Sequence, residues 1–72
     1  MMGKLVYSKE KECWYFKGKE NRFPISCGEH LQIKIFNKYR PCRVELAHDW
    51  YVILDNISFV LFKSFSYDVK YY

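Results

Sequence analysis

Between His30 and Phe36 the chain alternates: Leu31, Ile33 and Ile35 on one side, His30, Gln32, Lys34 and Phe36 on the other. A period of two with β-branched residues predicts a strand with one buried face. A helix would scatter the three aliphatic residues around its circumference. "NKYRP" reads as a short turn, after which Cys42, Val44 and Leu46 alternate with Arg43, Glu45 and Ala47 in a second strand. His48-Asp49 separates it from "WYVIL" at 50–54. That run is apolar at nearly every position, so it is predicted to be covered on both faces or to lie centrally.

The flanks carry shorter signals. "KLVY" at 4–7 and "CWYF" at 13–16 read as strands joined by the polar stretch 8–11, and Gly18 and Asn21 supply turn chemistry in "KGKEN". Pro24 marks a boundary and pushes Phe23 towards an extended conformation. "ISFVLF" at 57–62 is apolar without alternation, which leaves strand and helical turn both open across 56–65. In "SYDVKYY", Tyr67, Val69 and Tyr71 fall on one side and predict a closing strand. The expected fold is one all-β domain over 1–72, a small, strongly bent SH3-like barrel of five or six antiparallel strands. Closure limits the edges left exposed.

Composition agrees. Seventy-two residues make one domain near the lower limit for a self-sufficient core, and a fifth of them are aromatic, which compensates for length. Alanine occurs once, at Ala47, which argues against a helical bundle. So short a chain has little material for a catalytic cleft and its supporting shells, so a non-enzyme is expected. No segment reaches the roughly 18 apolar residues of a membrane span, and the N-terminal stretch lacks the apolar region of a secretory signal. Three cysteines, Cys13, Cys27 and Cys42, fit reduced thiols in a cytoplasmic setting.

Charge adds a candidate surface. Lys34, Lys38, Arg40 and Arg43 fall within ten residues that contain no acid, interleaved with Phe36 and Tyr39. Small barrels bind single strands by backing a basic groove with aromatic platforms. The alternatives are a solvated cationic face and an Arg43–Glu45 pair on one strand face. A second candidate is aromatic. Alternating strands cannot bury every ring of "WYF", "WY" and "YDVKYY", and Tyr71 and Tyr72, with Tyr51 or Tyr15, are candidates for a protein-docking patch.

Metal and nucleophile chemistry are weaker. Cys27-x-x-His30 is one closely spaced ligand pair, while Cys13, Cys42 and His48 stand alone, and a structural zinc site usually shows two pairs. On a strand, His30 points away from the Leu31 face. The expected reading of "SCGEH" is therefore a turn with a positive φ at Gly28, leading into the strand, with no metal and no cofactor. A Cys–His nucleophile would need a third orienting group and a pocket.

Residues 3–54 resemble a family of small SH3-like domains of unknown function from low-GC Gram-positive bacteria and their phages and plasmids. The matching positions are Gly3 and Leu5, Cys27-Gly28-Glu29, Pro41, Arg43-Val44-Glu45 and Trp50-Tyr51. The chain departs from that pattern at Asn37, in place of a turn glycine, and at Tyr39, in place of a tryptophan. It also lacks the family's closing Gly-hydrophobic-x-Val-Arg segment. The resemblance implies a turn without metal at Cys27-Gly28-Glu29, and it supplies no reaction. Small proteins of mobile elements often bind a host machine. The expected function is therefore a non-catalytic inhibitor that docks, in the host cytoplasm, on a nucleic-acid-processing or defence complex, as anti-CRISPR proteins do. Direct nucleic-acid binding by the basic face is the alternative, and a small zinc-binding protein the second.

Overall fold

In the computed structural model, which describes residues 1–71, the chain is all β. Its strands are β1 (Met2–Ser8), β2 (Cys13–Gly18), β3 (Arg22–Pro24), β4 (His30–Ile35), β5 (Lys38–Leu46), β6 (Trp50–Leu54), β7 (Ile57–Val60) and β8 (Tyr67–Lys70). They form one antiparallel sheet in the order β3-β2-β1-β8-β4-β5-β6-β7. The expected closing strand does the joining. β8 pairs with β1 on one side and β4 on the other, with Val69 opposite both Gly3 and Ile33. Two meanders thereby become a single sheet.

Alternation decides which side is inside. Leu5, Trp14, Phe16, Leu31, Ile33, Cys42, Val44, Trp50, Val52 and Val69 all point inward and are buried. The sheet curls far enough for its two halves to meet. The Trp50 indole N–H donates to the Glu12 carbonyl at 3.3 Å, although β6 and β2 stand five places apart in the sheet. Ile25 and Leu61 fill the same core from beyond the ends of β3 and β7. The result is a small, barrel-like β fold whose sheet ends at β3 and β7.

Eight strands replace the five or six expected, and each added one has a local cause. β3 forms where a boundary was expected, because Phe23 stacks on Phe16 with centroids 5.1 Å apart and the Ile25 N–H reaches the Trp14 carbonyl at 2.8 Å. Pro24 is tolerated on an edge strand, which has no neighbour to receive an N–H. β7 settles residues 57–60 as strand. Asp55 and Asn56 take φ values of 52° and 64°, as a two-residue hairpin turn with both central residues left-handed requires, and Leu54 faces Ile57 across it.

The turn placed at "NKYRP" is shorter than expected and begins one residue earlier, at Phe36, the residue expected to end the strand. It consists of Phe36 and Asn37, with Phe36 at φ 58°, and β5 already runs from Lys38. Pro41 can sit inside β5 because the pairing with β6 begins only at Arg43. β6 is not central; it lies next to the edge, and Leu46 at the end of β5 is exposed.

Candidate functional site

The strand register distributes the predicted cations over different surfaces. Lys34 lies on the outer face of β4, directly opposite Tyr39 on β5. Lys38 and Arg40 follow the other parity, that of Cys42 and Val44, at the end of β5 that extends past the core, and Arg40 is held by Asp55 in the β6–β7 turn. Arg43 pairs with Glu45 on its own strand face, Nε to Oε2 at 2.5 Å. The ten-residue cationic run is therefore not one face, and two of its four charges already have carboxylate partners.

The tyrosines are likewise dispersed. Tyr15 lies on the outer face of β2 and Tyr51 on that of β6, at opposite ends of the sheet. Tyr71 turns inward, its ring 4.9 Å from Phe23 and 5.7 Å from Phe16, and its hydroxyl donates to Glu29. That contact raises the Tyr71 phenol above its ordinary value. Tyr72 lies outside the described residues.

"SCGEH" is a clamped turn. Gly28 has φ 92° and its N–H donates to the Val44 carbonyl at 2.7 Å; the Val44 N–H returns to the Glu29 carbonyl at 2.9 Å. The Glu29 carboxylate accepts from the Ser26 N–H at 2.5 Å and from Tyr71. The Cys27 thiol is exposed and donates to Glu45 at 3.1 Å. His30 is exposed on β4, and Cys42 is buried, which pushes its thiol up to about 11. Among the described residues no group of three His, Cys, Asp or Glu side chains is placed to hold a metal ion. Among the same residues no helix is long and apolar enough to cross a membrane.

An apolar concavity lies elsewhere. A groove of about 340 Å³ runs beside β7, lined by Ile33, Ile35, Val52, Phe59, Val60, Leu61, Phe62, Phe65 and Tyr67. Its construction follows from the chain. Phe59 sits opposite Val52, at the rim of the core. Beyond β7 the backbone turns, with the Phe65 N–H donating to the Phe62 carbonyl at 3.0 Å and the Phe62 N–H to the Tyr67 hydroxyl at 2.9 Å. Those bonds satisfy the polar backbone of the turn and leave its rings outward. Phe62 and Phe65 meet edge to face at 5.6 Å and are 60% and 57% exposed. Phe59 and Val60, also exposed, extend the apolar side of the groove along β7. Sequence reasoning passed over these residues. The available signal was the uncharged, non-alternating "ISFVLF", apolar on whichever side happened to face out.

A family model described as a domain of unknown function (DUF5348) matches residues 3–69. No curated protein matches. Among solved structures, the crystal structure of a protein from Ruminococcus gnavus, a structural genomics target, is similar over 97% of this chain and 99% of that one, with a TM-score of 0.77 and 25% sequence identity.

Proposed function

Since the chain belongs to the DUF5348 family, a domain of unknown function, we propose from its surface that it is a non-catalytic binding module that docks on a larger protein through the β7 edge and its groove. One observation carries this: the two sheet edges are treated differently. β3 is three residues long and bears Arg22 and Pro24, both of which discourage a further strand. β7 carries Ile57, Phe59 and Val60, all exposed, with no charge and no proline along its length. An unguarded apolar edge beside a groove suits an extended segment that adds as a strand and places alternate apolar side chains against the phenylalanines.

In its finer form the reading makes the partner a host nucleic-acid-processing or defence complex that the module inhibits in the cytoplasm. It also includes the SH3-like grouping and an origin in low-GC Gram-positive bacteria or their mobile elements. The likeness to a Ruminococcus gnavus protein supports the bacterial part of that origin.

The test is site-specific photo-crosslinking in host lysate treated with nuclease, with a benzophenone side chain at position 65 or, as a control, at position 19 in the turn between β2 and β3, at the other end of the sheet. A discrete adduct at 65 that is absent at 19, and lost in the Phe59→Ser/Phe62→Ser variant, is the expected result. Equal labelling at both positions, or an adduct whose mass is two copies of this chain, would overturn the reading.

A further inference from the structure

The outer face of the sheet carries a row of cations that the linear sequence disperses. Lys17 on β2 lies directly opposite both Arg22 on β3 and Lys4 on β1, and Lys4 lies opposite Asp68 on β8. The register of β8 with β4 continues the row from Asp68 to Lys34, which faces Tyr39 on β5. Six adjacent strands thus contribute Arg22, Lys17, Lys4, Asp68, Lys34 and Tyr39, in that order. At about 4.8 Å between strands the row is roughly 24 Å long.

Like charges directly opposite one another destabilise a sheet, yet three cations occupy three successive strands here. The row contains one acid, Asp68, which is engaged by Lys4 at 2.6 Å. That Lys4 hydrogen bond and charge, with a smaller contribution from the Lys34 charge, keep its carboxyl below the ordinary range. Three further carboxylates are engaged elsewhere: Glu29 and Glu45 serve the turn and Arg43, and Asp55 serves Arg40. Arg22, Lys17 and Lys34 lack a carboxylate partner among the described residues. Both ends of the row have an aromatic ring next to a cation, Arg22 at 5.0 Å over Tyr15 and Lys70 at 5.9 Å over Tyr39.

We propose that this transverse row binds the backbone of a single-stranded nucleic acid, with phosphates on Arg22, Lys17, Lys34 and Lys70 and bases stacked at Tyr15 and Tyr39. A cationic track with rings at both ends suits a strand whose base faces are free, which a duplex does not offer. The surface is separate from the β7 groove and stands independently of it. It also differs from the cationic run expected from sequence, for of Lys34, Lys38, Arg40 and Arg43 only Lys34 belongs to it.

Fluorescence anisotropy with labelled dT15 and rU15 tests the proposal. Three to four phosphate contacts at about −0.7 each predict a slope of log affinity against log salt between about −2 and −3. Lys17→Glu/Lys34→Glu is expected to weaken binding at least tenfold, while Lys38→Glu, off the row, changes it less than twofold. Asp68→Asn, which removes the acid and releases Lys4, is expected to tighten binding severalfold, a gain that misfolding cannot produce. Absence of binding at 50 mM salt, an equal loss from Lys38→Glu, no gain from Asp68→Asn, or equal affinity for a 15-base-pair duplex would each overturn it.

Discussion

Removing the Tyr71 hydroxyl tests whether the turn at Glu29 and the end of the chain stabilise each other. The Glu29 carboxylate accepts from the Ser26 N–H within its own turn and from Tyr71, 42 residues away. A hydrogen bond to a charged acceptor is worth about 1.5–3 kcal/mol, and because both side chains are only half-buried solvent screening reduces that to about 1–2 kcal/mol. Tyr71→Phe should cost that amount while keeping the ring against Phe16 and Phe23. Glu29→Ala should cost about 2–3 kcal/mol, since it also strips the Ser26 amide of its acceptor. In a double-mutant cycle read by urea unfolding, the coupling energy should then be about 1–2 kcal/mol. The Tyr71 phenol is raised by Glu29, so the contact stabilises the fold fully below the unfolded tyrosine value near 10. It is lost as pH climbs through the higher folded value. Stability of the wild type relative to Tyr71→Phe should therefore shrink above about pH 10. Additivity of the two substitutions within about 0.3–0.5 kcal/mol would refute the clamp.

Other perturbations separate the remaining claims. Phe36 has φ 58° and is 95% exposed, so Phe36→Gly should stabilise the chain by about 1 kcal/mol in thermal unfolding, because the left-handed conformation costs a non-glycine residue about that much. Cys42, raised to about 11 by burial, stays protonated in the fold while the unfolded thiol ionises. Stability relative to Cys42→Ala should thus be constant below about pH 8.5 and fall between there and pH 11. In native alkylation at pH 8, mass spectrometry should find Cys27 modified and Cys42 protected, given that the first is exposed and the second buried. Leu5→Ala, fully buried in β1, should cost about 2–5 kcal/mol and unfold so small a domain at 37 °C by circular dichroism.

Period-two alternation made β4 and the inner residues of β5 readable, since Leu31, Ile33, Cys42 and Val44 are buried as expected. It also placed Val69 on the closing strand. It could not say which strands β8 would join. Pairing with β1 and β4 depends on residues more than thirty positions away, and nothing local to "YDVK" encodes that. The same limit explains the surface. Lys34, Lys38, Arg40 and Arg43 look contiguous in one dimension, but strand parity splits Lys38 and Arg40 from the others. The row from Arg22 through Lys17 and Lys4 to Lys34 exists only once the register is known. The groove escaped notice for a different reason. "ISFVLF" satisfies strand and core readings equally, and only the sheet order makes β7 an edge with nothing beyond it.

Residues 1 and 71 sit side by side: the Tyr71 N–H donates to the Met1 carbonyl at 2.7 Å, and the Met1 amino group donates to the Tyr71 carbonyl at 2.5 Å. Pairing of β1 with β8 therefore has to close a loop of nearly the whole chain, the kind of distant contact that slows folding. A circular permutant that tethers residue 71 to residue 1 by a few glycines and opens between Ile25 and Ser26, where the two meanders join, turns that distant encounter into a local hairpin and keeps the β1–β2 and β2–β3 pairings local. It should reach the same architecture in less time.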